Sequence, residues 1–252
     1  MGEYMKFIRY KIDKTEYRGI LDGDKIKRIN GTVFHDYSLT TDIIPLSEVT
    51  ILPPVLPSKI IGFRKNYNGS RQEISPQVFF KPPTTIIGAN DNIILPNGVE
   101  DVRIEGEMAV IIGKKCKNIP ESQVLNHILG YTIANDITAP QGSADLNVTI
   151  GKGYDTFTPL GPYINTEIDI SNLEITTYKN HDVCQHGFTS SMIYDVLFQV
   201  SFLSHVMTLN PGDVILTGTP SSAVPVIDND VITIKIENLG ILENKCIRES
   251  NG

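Results

Sequence analysis

The sequence predicts a mixed, β-rich α+β protein, with a small N-terminal β module over residues 1–52 and one main domain over residues 58–247. Three observations lead there. Short apolar runs, alternating or continuous, recur between turn residues, as strands do. The 20 glycines and 15 prolines favour frequent turns over long helices. Only two stretches carry the apolar spacing of a helix. A length of 252 residues suits one large domain with an appendage, and 40% apolar residues are enough for a sizeable core.

In the N-terminal part, Phe7–Ile12 and Lys25–Ile29 alternate, and Asp22-Gly23-Asp24 between them signals a hairpin. Pro53, Pro54 and Pro57 exclude a sheet or helix, so residues 51–57 read as a stiff connector. Met108–Ile112, ending at Gly113, reads as a buried strand. Asp213–Thr217 reads as another, opened by the turn Asn210-Pro211-Gly212. Within Asp230–Glu237, Ile232, Ile234 and Ile236 share one face, the period-2 mark of a strand. One helix is expected over Glu121–Leu129, between Pro120 and Gly130. The other is expected from about Ser191 to Val206. Ile193, Val196, Leu197, Val200, Leu203 and Met207 form its buried stripe, and Ser190 its N-cap.

Composition excludes several functions. Lys plus Arg total 22 and Asp plus Glu total 29, a formal charge of −7. No basic run is present, so no nucleic-acid partner is expected. No apolar stretch approaches the roughly 18 residues that cross a bilayer, so no membrane partner is expected either. Met1–Lys6 carries no apolar signal core, and Lys6 stands where a myristoylation motif needs Ser or Thr; the chain reads as cytoplasmic. Cys116, Cys184 and Cys246 are widely spaced and form no CxxC. They read as free thiols in a reducing compartment, small core residues rather than nucleophiles.

Five short segments carry polar groups suited to chemistry. In Arg103-Ile104-Glu105-Gly106-Glu107-Met108, the two glutamates lie at i and i+2 and project from one strand face. Two carboxylates that close repel unless a cation lies between them, and hard oxygens favour Mg²⁺, Mn²⁺ or Ca²⁺. Alone, the pair reads sooner as two solvated glutamates at a strand start than as a metal site. The run Gly130–Asp136 ends in Asn-Asp, where Asp136 is either a third carboxylate or a turn residue. Gly151-Lys152-Gly153 places an ammonium on close-approach backbone, suited to an anionic substrate, without the spacing of a Walker motif. Thr217-Gly218-Thr219-Pro220 is either an anion cradle or a plain turn. Phe80-Lys81-Pro82-Pro83 fixes the backbone just after a lysine.

In this order the segments resemble the fumarylacetoacetate hydrolase family. The resemblance runs from about Lys59 to Cys246. It also takes in Lys59-Ile60-Ile61-Gly62-Phe63, Asn66-Tyr67, Pro159-Leu160-Gly161-Pro162 and Met207–Asp213. It implies a β-roll core with a small N-terminal domain, a homodimer, and Mg²⁺ or Mn²⁺ held by Glu105, Glu107 and Asp136. It implies a small-molecule substrate, a 2-oxo acid or 1,3-dicarbonyl compound, with C–C hydrolysis or cleavage passing through a metal-stabilised enolate. Lys152 would add positive charge, while Lys81, Gln141 and Thr219 would contact substrate. Two positions depart from the family pattern. Glu73 stands where the family's lid carries a glutamate, but Ser70 replaces its histidine, and serine is a far poorer base near neutral pH. Pro140, before Gln141, stands where the family often has a carboxylate-gripping arginine. An isomerase, tautomerase, dehydratase or cyclase on the same metal platform is therefore the alternative, with a non-catalytic binding protein the third reading. His181 and His186 read as surface or structural histidines.

Overall fold

The computed structural model describes residues 5–140 and 147–250. The N-terminal strands are β1 (Lys6–Ile12), β2 (Thr15–Asp22), β3 (Lys25–Gly31), β4 (Tyr37–Pro45) and β5 (Thr50–Leu52). Next come β6 (Ile60–Arg64), β7 (Gln77–Lys81), β8 (Ile86–Ile87), β9 (Asn92–Leu95), β10 (Val102–Ile104), β11 (Gly106–Ile112) and β12 (Ile128–Asn135). After α1 (Val148–Lys152) lie β13 (Thr158–Asn165), β14 (Glu174–Lys179), β15 (Asp182–Phe188) and α2 (Val196–Val206). The chain closes with β16 (Val214–Leu216), β17 (Val224–Val226), β18 (Val231–Ile236) and β19 (Gly240–Arg248).

A 12-stranded sheet runs β4-β3-β2-β1-β13-β12-β11-β16-β6-β7, with β5 added on β1 and β8 on β13. A five-stranded sheet, β15-β14-β18-β19-β9, packs against β11, β12 and β13. The continuous burial of β11 follows from this layering. Met108, Val110 and Ile112 enter the core between the sheets, while Ala109 and Ile111 join a second cluster with Phe7, Ile60 and Leu160. Ile232, Ile234 and Ile236 fill the first core from β18, as their alternation predicts.

The Asp22-Gly23-Asp24 hairpin forms, but β2 rather than β1 is its first arm. β1 pairs with β13 through Lys6↔Asn165 and Phe7↔Ile164, so the N-terminal strands extend the main sheet. Ile51 and Leu52 lie in β5, so only the proline-rich remainder of the expected connector is irregular.

Both expected helices are shorter than their patterns. Glu121–Asn126 is a 3₁₀ helix, and Ile128 and Leu129 already belong to β12. Gly130 is a close-approach glycine instead of a helix stop: a Cβ there would lie 2.3 Å from the Asn165 carbonyl oxygen on β13. α2 begins at Val196, capped by Asp195, whose carboxylate accepts from the Phe198 amide at 2.9 Å. Ser190 sits in the preceding 3₁₀ turn and donates to Asn172. Asp213 precedes β16 as a turn acid, accepting from Ser58 at 2.6 Å, from the Asn210 amide at 2.7 Å and from Lys59. Cys116 and Cys246 are buried core thiols, and burial pushes Cys246 up to about 12. No helix among the described residues is long and apolar enough to cross a membrane.

Candidate metal centre

Strand pairing builds the site. β11 and β12 run antiparallel with Gly106 opposite Asn135, so Glu105 and Asp136 face each other just beyond the paired ends. The Asp136 amide donates to the Glu105 carbonyl at 2.8 Å, and the Glu105 amide to the Asn135 side chain at 3.1 Å. Glu107 sits one register inward. One ligand oxygen from each of Glu105, Glu107 and Asp136 lies within 4.8 Å of the others. The structure thus brings together the three carboxylates singled out in the sequence.

Gly106 lets this strand lie against β14. A Cβ at that position would fall 2.2 Å from the Thr177 hydroxyl, on a short β-branched side chain with little room to move. Gly106→Ala is expected to destabilise the protein by about 1–3 kcal/mol, visible as a lowered melting temperature. An unchanged melt would show that β14 yields there.

Two lysines neutralise the cluster. Lys152 Nζ donates to Asp136 Oδ2 at 2.5 Å, to the Asp136 carbonyl at 3.1 Å and to Glu105. Lys81 Nζ donates to Asp136 Oδ1 at 2.6 Å and to the carbonyls of Ile137 and Phe157 at 3.0 and 2.8 Å. Burial disfavours the Asp136 carboxylate, but Lys152 and Lys81 outweigh it and hold its pKa below the usual range. Burial likewise opposes the Lys152 ammonium, and Asp136 with Glu105 reverses that, raising its pKa. Burial brings Lys81 down to about 8 despite Asp136. Glu107 is pushed well above the carboxylate range, first by burial and then by the Asp136 and Glu105 charges. The Lys152 charge and the Gly218 amide, which donates to Oε2 at 2.7 Å, offset this only in part.

The residues fit a hard divalent cation. The donors are all carboxylate oxygens, the set that Mg²⁺ and Mn²⁺ prefer. Glu107 is held in a state that calls for either a proton or another positive charge. The Tyr67 hydroxyl, on the same pocket wall and within electrostatic reach of Glu107, is buried and has no hydrogen-bond partner among the described residues. A cation carrying oxygen ligands would satisfy both.

The centre opens into a cavity of about 370 Å³, whose walls include Phe63, Phe79, Tyr67, Arg103, Lys152 and Thr219. Thr219, expected to contact substrate, lines the cavity and accepts from Gln185 Nε2 at 3.2 Å. Gln185 also accepts from the Gly106 amide at 2.9 Å, so one buried side chain ties the metal-site strand to the Thr219 loop. Lys152 belongs to the last turn of α1 instead of a glycine loop. Lys81 is corrected: it stands behind Asp136, fully buried, with its donors spent inside the protein, and is a positioning residue and not a substrate contact. Ser70 and Glu73 are not on the cavity wall; the Ser70 hydroxyl donates to Glu73 at 2.9 Å. Gln141 lies outside the described residues, while Pro140 lines the cavity. His181 is exposed, and His186 pairs with Glu174 at 2.8 Å on the surface.

Sequence reasoning gave no role to Tyr67, Arg103 or Gln185. Arg103 was findable, two residues before Glu105 on an extended run and therefore on the same face. Nothing in the sequence marks Gln185.

Known proteins resemble this chain over most of its length. The family model described as Fumarylacetoacetate (FAA) hydrolase C-terminal matches residues 59–247. That described as Rv2993c-like, N-terminal matches residues 5–54. Oxaloacetate tautomerase FAHD2A, mitochondrial, of Bos taurus is 36% identical over 225 residues, covering 81% of this chain and 72% of that one. A 2-hydroxyhepta-2,4-diene-1,7-dioate isomerase from Mycobacterium marinum superposes with a TM-score of 0.93 at 39% identity, covering 98% and 100% of the two chains. Maleylpyruvate hydrolase from Sphingobium sp. SYK-6, in complex with manganese(II) ion and pyruvate, superposes with a TM-score of 0.83 at 28% identity, covering 98% and 100%.

Proposed function

Because the chain belongs to the fumarylacetoacetate hydrolase family, we propose that it is a divalent-metal-dependent enzyme that interconverts the keto and enol forms of a 2-oxo acid. The carrying observation is a contrast within the site. Glu105, Glu107, Asp136 and Lys152 converge in one cavity, whereas Ser70 and Glu73 bond to each other away from its wall. Hydrolysis needs an activated water, and a placed general base contributes about 10²–10⁴-fold to such a step. Enolisation needs no nucleophilic water: one proton leaves the carbon beside the carbonyl for solvent and one is taken up from solvent at the enolate oxygen, with no C–C bond broken.

Glu105, Glu107 and Asp136 would hold Mg²⁺ or Mn²⁺. The bound ion would supply Lewis acidity toward the substrate's oxygens, acidifying the C–H beside the carbonyl. The remaining work belongs to the chain. Lys152, kept protonated by Asp136 and Glu105, sets a fixed positive charge beside the ligand cluster, where negative charge develops on substrate oxygen. Gln185 holds the Thr219 hydroxyl at the wall for a substrate oxygen. Phe63 and Phe79 exclude water and strengthen each of these interactions.

The test is spectrophotometric: decay of enol absorbance with Mg²⁺ or Mn²⁺ present, in the wild type and in Glu105→Ala. The wild type is expected to accelerate the exchange and the variant to lose both metal binding and acceleration. Equal rates in the two proteins would refute the reading.

C–C hydrolysis is the second reading, favoured by the retention of a carboxylate at Glu73, three residues after Ser70. If only water activation is missing, Ser70→His raises acylpyruvate hydrolysis by about 10²-fold or more. A wild type that already hydrolyses acylpyruvates rapidly would favour this reading over enolisation.

A further inference from the structure

We propose that Arg103 is a specificity-determining residue, a guanidinium fork at the cavity wall that selects substrates carrying a second carboxylate. The inference rests on the 2-oxo acid reading above and deepens it.

Arg103 occupies the middle of β10, where Val102 and Ile104 are buried and the arginine side chain turns to the other face, 44% exposed. Alternation puts that face in line with Glu105, two residues on and about 7 Å along an extended chain. The guanidinium is aimed. Its Nε donates to Asp101 Oδ1 and its Nη2 to Asp101 Oδ2, both at 2.8 Å. This uses one edge of the fork. The edge formed by Nη1 and the second Nη2 proton carries no hydrogen bond among the described residues, and it has the geometry that a carboxylate fits bidentately.

The backbone of Arg103 is equally fixed. Its amide donates to the Thr138 carbonyl at 2.8 Å, and the Thr138 amide to the Arg103 carbonyl at 2.9 Å. Thr138 follows Asp136 by two residues, and its hydroxyl donates to Glu105 at 3.2 Å. The arginine is thus tied to both segments that carry the candidate ligands, which sets its distance from the metal centre. Arg64 and Lys65 lie on the same cavity wall. Pro140 also lines the cavity and offers no charge; Arg103, tied through Thr138 to both ligand-bearing segments, is the forked grip for the end of the substrate away from the 2-oxo group.

The experiment measures dissociation constants on the Mn²⁺-loaded full chain, by competition on the Mn²⁺ water-proton relaxation signal. The probes are oxaloacetate and 2-oxoglutarate, the monoacids with methyl in place of their distal carboxylates (2-oxobutanoate and 2-oxopentanoate), and oxalate as a ligand for the metal end alone. The wild type is expected to prefer at least one diacid over its monoacid by tenfold or more. Arg103→Ala is expected to erase that preference and leave oxalate binding unchanged. Arg103→Lys is expected to restore only part of the preference, since an ammonium cannot fork. A preference that survives in Arg103→Ala, a wild type with no preference, or a parallel loss of oxalate binding in Arg103→Ala would each overturn the assignment. Failure of oxalate to bind the Mn²⁺-loaded wild type would instead overturn the 2-oxo acid reading beneath it.

Discussion

Replacing Asp136 by asparagine is expected to abolish divalent-metal binding and turnover together, and to lower the melting temperature by roughly 10 °C. The two losses have one origin. Asp136 is 1% exposed and faces two ammonium groups, Lys81 on Oδ1 and Lys152 on Oδ2. Lys81 has no exposed side-chain surface, so it cannot turn to water when its counter-charge goes. Breaking a buried pair by removing one partner costs about 3–5 kcal/mol, because the other charge is left uncompensated. Glu105→Gln provides the contrast. The Glu105 side chain is 20% exposed, so its loss is expected to abolish metal binding with a much smaller change in melting. Titration with Mn²⁺ in a calorimeter and scanning calorimetry separate the two effects. An Asp136→Asn protein that binds Mn²⁺ normally would confine Asp136 to pairing with the lysines. One that melts like the wild type would contradict the buried lysine–aspartate network itself.

How far the site was legible in sequence follows from the range of the interactions involved. Glu105 and Glu107 could be paired from sequence because their relation is local: two residues apart at the head of a continuous apolar run. Asp136 could be nominated but not placed. Its position opposite Glu105 comes from the register of β11 on β12, set by packing between sheets far apart in sequence. The family resemblance supplied that link. Lys81 was misread because nothing local distinguishes an ammonium that reaches a wall from one buried behind it. Its partners lie 55 and 76 residues away. The fold shows the same division. The alternation of β18 and the apolar run of β11 are local signals, and both strands formed. Gly130 matched a helix stop, yet the reason for its missing side chain is the Asn165 carbonyl on the neighbouring strand. The helix stripe from Ile193 to Met207 is real as a buried face, but Asp195 offers a better cap than Ser190, so the first turns of the pattern belong to irregular chain.

Lys152→Met is expected to separate metal binding from turnover, which Asp136→Asn cannot do. The side chain of Lys152 is 9% exposed and its ammonium bonds to two of the three candidate ligands. Without a bound cation, that ammonium and the one on Lys81 are the positive charges on which the cluster relies. With one, it competes for the same oxygens. Removing it therefore leaves Mn²⁺ affinity unchanged or tighter, since attraction to three carboxylates remains and a competitor is gone. Turnover behaves differently. A fixed charge lost from the place where an oxyanion develops costs about 10²–10³-fold in kcat. Methionine keeps the apolar stem of the lysine and removes the ammonium that lies 5.0 Å from the Phe79 ring centroid, so the packing change is small. The pattern to be measured is a retained or lowered Kd for Mn²⁺ with kcat reduced at saturating substrate. If Mn²⁺ binding disappears with activity, Lys152 shapes the site and has no separate part in the reaction. If kcat is unchanged, the charge beside the substrate comes from elsewhere on the wall, and Arg64, Lys65 and Arg103 are the cations left to supply it.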